Sequence, residues 1–331
     1  MPLARCLTTL EFNMNVRLTV NAVKFAVIAA ALVPRACWAC ACGCGVFDVA
    51  TQSMLPQGPG GVIFAEYNYM DQNMNWHDGS PASAANNGDK DIRTDFTTLG
   101  MQYMFNRSWG AQVELPYDFR RYTANFGAGS TSWSTIGDIR LEGIYTGFFP
   151  DMSAGVTFGL KLPTGNDNHD LPSLLDRDTE LGTGSTDILL GGFYRHSLNW
   201  ITPGLFWFAQ AQLDVPVLIQ GGYRPGVELD TALGLYYQGL SLGKVKITPV
   251  AQAIPSERTS DTGSWASGGV NDPPVGISDS GYQRILLSPG LEFDVHPFMV
   301  YADAEFDVLQ FSRGNQLVAP VLFKVVVSYN F

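Results

Sequence analysis

The stretch Leu317-Val-Ala-Pro-Val-Leu-Phe-Lys-Val-Val-Val-Ser-Tyr-Asn-Phe331 alternates to its last residue. Val321, Phe323, Val325, Val327, Tyr329 and Phe331 fall on one face, while Lys324, Ser328 and Asn330 fall on the other. A period of two carried by β-branched and aromatic residues predicts a strand. The segment finishes on an aromatic at the edge of its apolar face, with no polar tail behind it. Taken alone, the pattern suits a transmembrane barrel strand and a buried sandwich strand about equally, so the rest of the chain decides.

Working back from this segment, eleven more repeat its two-faced alternation, at approximately 62–71, 92–105, 109–122, 135–147, 153–162, 184–196, 202–216, 226–238, 245–256, 281–294 and 298–311, with 317–331 the twelfth. They run longer than the five or six residues usual in soluble sheets and match tilted membrane-spanning strands. The links between them alternate in kind. Those after even-numbered segments are short, such as Asn106-Arg-Ser108 and Val295-His-Pro297. Most after odd-numbered ones are long and polar, such as 72–91, 163–183 and 257–280. Short turns at one end and long loops at the other is the layout of an outer-membrane barrel, with the short turns in the periplasm. The expected fold class is therefore all-β: a transmembrane antiparallel up-and-down β-barrel of about twelve strands over 62–331.

The two faces divide as a boundary between lipid and lumen requires. Leu205, Trp207, Leu213, Leu229, Leu233, Val300 and Phe306 alternate with Gln210, Asp214, Glu228, Asp230, Asp303, Glu305 and Asp307. A charge facing lipid at the midplane costs roughly 2–4 kcal/mol, so the charged face is expected to be the lumen. The predicted lumen acids are Asp303, Glu305, Asp307, Glu228, Asp230, Asp214, Asp138 and Glu142, with Arg140, Lys161, Arg284 and Lys324 as lumen cations. Lys324 has Glu305 as its natural partner. Much of this charge is expected to pair across strands, because small barrels are filled by side chains. The acidic excess that remains would attract cations and repel anions. Phe206 and Phe208 are expected on the lumen side, and Trp76, Trp133 and Trp265 in the long loops as a candidate apolar entrance.

The chain has 331 residues, a charged fraction of only 15% and a net charge of −11, with no basic stripe. That composition excludes a nucleic-acid partner. All five cysteines lie within the first 44 residues, so the body from Gly45 onward has neither a thiol nor an internal disulfide. Basic Arg17 and Lys24 precede the apolar run Phe25–Val33, too short to span a bilayer and suited to the core of a secretory signal. Residues 1–39 are expected to be a signal peptide cleaved after Ala39, with Met1 and Met14 both open as starts. Residues 40–61 then form a Cys/Gly-rich periplasmic segment. Cys40, Cys42 and Cys44 alternate, so three thiolates can converge on one soft metal ion. A redox-labile pair, a lipidated Cys40 and no role at all compete with that reading. No C-x-x-C-H motif for haem occurs, and no cofactor is expected.

Two resemblances add to this reading. The final alternation ending on Phe331, with Tyr329 before it, is similar to the terminal strand of bacterial outer-membrane barrels, which implies that these two residues form the signal read by the outer-membrane assembly machinery. Further stretches are Thr98-Leu-Gly-Met-Gln-Tyr103 with Glu114-Leu-Pro-Tyr117, Gly137-Asp-Ile-Arg-Leu-Glu-Gly-Ile-Tyr145, Gly159-Leu-Lys-Leu-Pro-Thr-Gly165 and Gly182-Thr-Gly-Ser-Thr-Asp187. They resemble a transporter-like family of Gram-negative outer-membrane barrels linked by name to the meta-pathway of phenol degradation. That resemblance implies a twelve-stranded barrel and points to aromatic compounds; it carries no catalytic residues. His77, His169, His196 and His296 are scattered along the sequence and suggest no enzyme. The expected function is a passive, porin-like channel or facilitator for small solutes. The alternatives are a metal- or redox-linked barrel working through the cysteines and a structural barrel without transport.

Overall fold

The computed structural model describes residues 55–56, 58–125, 129–167, 177–263 and 280–331. The expected signal peptide and the three alternating cysteines lie outside the described residues. Twelve strands form the wall: β1 (Gly60–Gln72), β2 (Asp89–Met104), β3 (Trp109–Ala124), β4 (Ser130–Ile136 and Ile139–Tyr145), β5 (Ala154–Leu162), β6 (Ser185–Ser197), β7 (Leu205–Ile219), β8 (Glu228–Tyr237), β9 (Val245–Arg258), β10 (Tyr282–Val295), β11 (Phe298–Val318) and β12 (Val321–Asn330). Each pairs antiparallel with the next. The last returns to β1, from Val62↔Asn330 to Met70↔Leu322. The barrel is thus closed and the wall has no free edge.

Lipid explains the outer face. Leu233, Leu235, Phe306, Val308, Phe323 and Val327 are all exposed, while Asp230, Ala232, Tyr236, Asp303, Glu305 and Lys324 on the same strands are buried. No helix of the described residues is long and apolar enough to cross a membrane; the strands cross instead. At the short-turn end the apolar belt finishes in aromatic rings packed against one another. Phe331 lies 6.2 Å from Tyr103 and 6.4 Å from Tyr329, and Trp109, Tyr145 and Phe148 follow at 4.8 and 5.1 Å. Such a girdle sits at the headgroups, where an amphipathic ring is favoured.

The strands extend past the expected ends on the long-loop side. β3 and β4 continue as a paired ribbon up to Thr123↔Ser130, because Ser130-Thr-Ser-Trp-Ser-Thr-Ile136 is rich in β-formers. β11 is extended over 21 residues but turns back near Gly314 (φ +74°), because Val318 lies only three residues before Val321, the partner of Phe306. Its upper part pairs with a short strand at Met74–Asp78, which doubles back through Ser80–Pro81.

One expectation is corrected. The fourth segment, expected at approximately 135–147, is interrupted: β4 breaks at Gly137 and Asp138. Pro116 on β3 faces the gap and has no N–H to give the ladder. Gly137 donates its N–H to the Pro116 carbonyl at 2.9 Å, and a Cβ at 137 would lie 2.8 Å from the proline ring.

Candidate functional site

The lumen is the candidate site, and its charges are joined across neighbouring strands. On β5, Lys161 Nζ donates to Asp214 of β7 at 2.6 Å and also pairs with Asp187 of β6. Arg140 of β4 stands 3.8 Å from the same Asp214. Lys324 Nζ on β12 lies 3.6 Å from Glu305 on β11, with both side chains buried. Asp303 accepts from the Ser288 hydroxyl at 2.6 Å, the Tyr301 hydroxyl at 2.8 Å and Gln252 at 3.3 Å. The Tyr282 hydroxyl bonds Glu228, Ser256 bonds Asp230, and the Arg284 guanidinium lies 4.5 Å over the Tyr282 ring. Glu142 and Asp307 also lie on inward positions of their strands, Glu142 buried and Asp307 half-buried. Burying a carboxylate this deep calls for hydrogen bonds that offset desolvation, and Ser288, Tyr301 and Gln252 supply them to Asp303. Tyr301 falls on the lumen face by the alternation of β11, whereas Tyr282 is not singled out by the sequence, because a lumen tyrosine and a girdle tyrosine read alike there.

Asp138 plays a different part from the wall acids. It sits in the β4 break, where it accepts the N–H groups of Gly165 and Thr183, each at 2.9 Å, and the Thr183 hydroxyl. The residues after β5 and before β6 are thereby held together at the wall. Gly184 (φ +64°) then turns the chain into β6.

The segment Arg177–Thr183 folds inward at the long-loop end. Arg120, fully buried on β3, donates to Thr94 Oγ1 at 2.9 Å and to the Thr179 carbonyl at 2.5 Å. Arg177 donates to the carbonyls of Gly182 and Thr183 and lies 4.7 Å over the Tyr223 ring. Leu181 packs on a cluster of Ile92, Tyr122, Trp133 and Leu317. Trp133 is therefore interior rather than an entrance residue, at 6% exposure. Trp76 donates its indole N–H to the Gln310 carbonyl, and Trp265 lies outside the described residues.

Beyond the charged networks, an apolar band lines the lumen. Phe64, Phe96, Phe208, Tyr236, Met299 and Leu322 belong to one buried cluster. Phe206 packs against it, stacked on Tyr236 at 5.0 Å. At the short-turn mouth there is a cavity of about 460 Å³, lined by the Leu55–Val62 region, Met104, Met299 and the end of β10. Among the described residues no three His, Cys, Asp or Glu side chains gather as a metal site. His77, His196 and His296 lie on the long-loop hairpin, the short-turn end of β6 and the β10–β11 turn, and His169 is outside the described residues.

No family model matches the chain, and no curated protein does. Solved structures do. An outer-membrane channel from Pseudomonas putida F1 aligns with a TM-score of 0.62 at 13% identity, covering 86% of this chain and all of that one. The β-domain of the Bordetella autotransporter BrkA aligns with a TM-score of 0.51 at 13% identity, over 82% of this chain and all of that domain. The likeness is one of fold. Together with the closed wall and its lipid-facing belt, it makes the chain a bacterial outer-membrane β-barrel.

Proposed function

We propose that this barrel is a passive outer-membrane channel for small solutes, with single-ring aromatic molecules as its preferred cargo. The apolar band in the lumen carries the reading. Rings and methyl groups at that level give a hydrated ion nothing to replace its water. An arene exchanges water for ring contacts there. The resemblance to barrels linked by name to phenol degradation agrees with this cargo. Where charged solutes pass at all, the acidic excess of the lumen favours cations over anions. The test is the initial uptake of labelled phenol by cells with and without the barrel. Equal uptake overturns the reading, and absence of any solute flux or conductance favours a structural barrel instead.

The spacing of Cys40, Cys42 and Cys44 supports a second reading, a metal- or redox-linked barrel. Copper and zinc content of the mature protein, with and without triple Ser replacement, tests it. Identical metal content in both removes it.

A further inference from the structure

The inward segment Arg177–Thr183 is tied down mainly through its backbone. Arg120 donates to the Thr179 carbonyl, Asp138 accepts from the Thr183 N–H, and Arg177 donates to the carbonyls of Gly182 and Thr183. Its one apolar side chain, Leu181, is half-buried and serves a different contact. It packs on Ile92, Tyr122, Ala124, Trp133 and Leu317, which come together from β2, β3, β4 and β11 and are each no more than 6% exposed. The Tyr122 hydroxyl donates to Asp89 at 2.7 Å, which fixes the direction of its ring. Ile92 lies one helical-free step of four residues above Phe96 on the inward face of β2, so the cluster leads down to the apolar band.

An isobutyl group seated against two aromatic rings makes dispersion contacts with them and nothing more. A flat ring in the same place gains edge-to-face or offset contact with Tyr122 and Trp133, while Ile92, Ala124 and Leu317 supply aliphatic walls. We propose that this cluster is the entry site of the channel for a single-ring arene, and that the ring takes it in exchange for Leu181. The inference rests on the channel reading above and names where the cargo first binds. Seated Leu181 covers the cluster; the exchange opens it, loosens Arg177–Thr183 and lets the ring pass on towards Phe96.

The test uses the purified full-length mature barrel labelled with fluorotryptophan. The fluorine resonance of Trp133 is identified by its loss in Trp133→Phe. Phenol is expected to shift that resonance to saturation. Cyclohexanol has the hydroxyl and the six-membered ring but no π face, and is expected to need about tenfold more, the ratio that about 1.4 kcal/mol sustains. Leu181→Ala vacates the seat and is expected to lower the phenol midpoint about tenfold. Should that variant fail to fold, Leu181→Val is expected to lower it part of the way. Phenol is also expected to hasten trypsin cleavage at Arg177, which is 6% exposed while the segment is seated. A Trp133 resonance that phenol leaves in place, equal midpoints for phenol and cyclohexanol, a midpoint that neither Leu181 variant moves, or cleavage that phenol does not hasten would each overturn the proposal. If phenol uptake by cells still depends on the barrel, such a result discards this inference and keeps the channel. Phenol uptake that ignores the barrel discards the channel itself.

Discussion

Gly165 and Gly182 touch backbone to backbone inside the long-loop mouth. A Cβ on Gly182 would lie 2.5 Å from the Gly165 carbonyl carbon, and one on Gly165 would lie 2.8 Å from the Gly182 Cα. Backbone yields far less readily than the end of a side chain, so Gly182→Ala is expected to push the Arg177–Thr183 segment off its seat. Single-channel conductance in planar bilayers should rise. Conductance equal to that of the natural protein would show that this segment does not narrow the path.

Asp138 holds the same segment by two hydrogen bonds from Thr183 and ties it to Gly165 by a third. Asp138→Ala leaves donors without their acceptor, at a cost of about 1–3 kcal/mol for each buried one. Arg177, now 6% exposed, should then become a trypsin site in intact cells. Asp138→Asn keeps an acceptor oxygen and should preserve much of the protection. Equal resistance in the natural protein and the alanine variant would rule out Asp138 as the anchor.

Lys324→Met strands the carboxylate of Glu305, which is 1% exposed, and loss of one partner from a buried pair costs about 3–5 kcal/mol. The temperature at which the folded barrel loses its fast gel mobility should fall. Adding Glu305→Leu should restore most of it, since an apolar pair of similar volume fits a buried site. A double variant as labile as Lys324→Met would assign the effect to packing rather than charge.

Phe331 exchanges both backbone hydrogen bonds with Gly61 at 2.9 Å, and its ring covers Gly61 so closely that a Cβ there would lie 2.3 Å from the ring. Phe331→Ala should reduce the folded fraction recovered in outer membranes while leaving uptake per folded barrel unchanged. Full assembly with lost uptake would contradict this.

The wall was legible in the sequence because lipid imposes a strict rule on alternate residues. Leu233, Leu235, Phe306 and Val308 obey it so plainly that their neighbours Asp230 and Glu305 could only face inward. The Lys324 and Glu305 pair followed from that alternation, and the register Asp303↔Lys324 brings the two strands into line. The break in β4 was hidden because its cause, Pro116, lies on another strand and meets Gly137 only through pairing. The inward segment was hidden for a different reason. Arg177-Asp-Thr-Glu180 reads as solvated loop, and its burial depends on Arg120 and Asp138, whose partners are backbone atoms with no sequence signature. The glycines at 165, 182 and 184 were the available signal, but a glycine in a sequence does not tell a turn from a close contact.

The seam between β1 and β12 carries a consequence in time. Its partners Val62 and Asn330 are neighbours in the wall but lie about 270 residues apart along the chain, and closing a loop of that length costs about 5 kcal/mol of chain entropy. Every other neighbouring pair of wall strands is joined through a single link. An eleven-strand intermediate therefore carries two raw edges and gains nothing from the seam until the last segment arrives, when the register from Val62 to Met70 forms together. Both edges are covered by one segment, Val321–Asn330, which pairs with β1 on one side and β11 on the other.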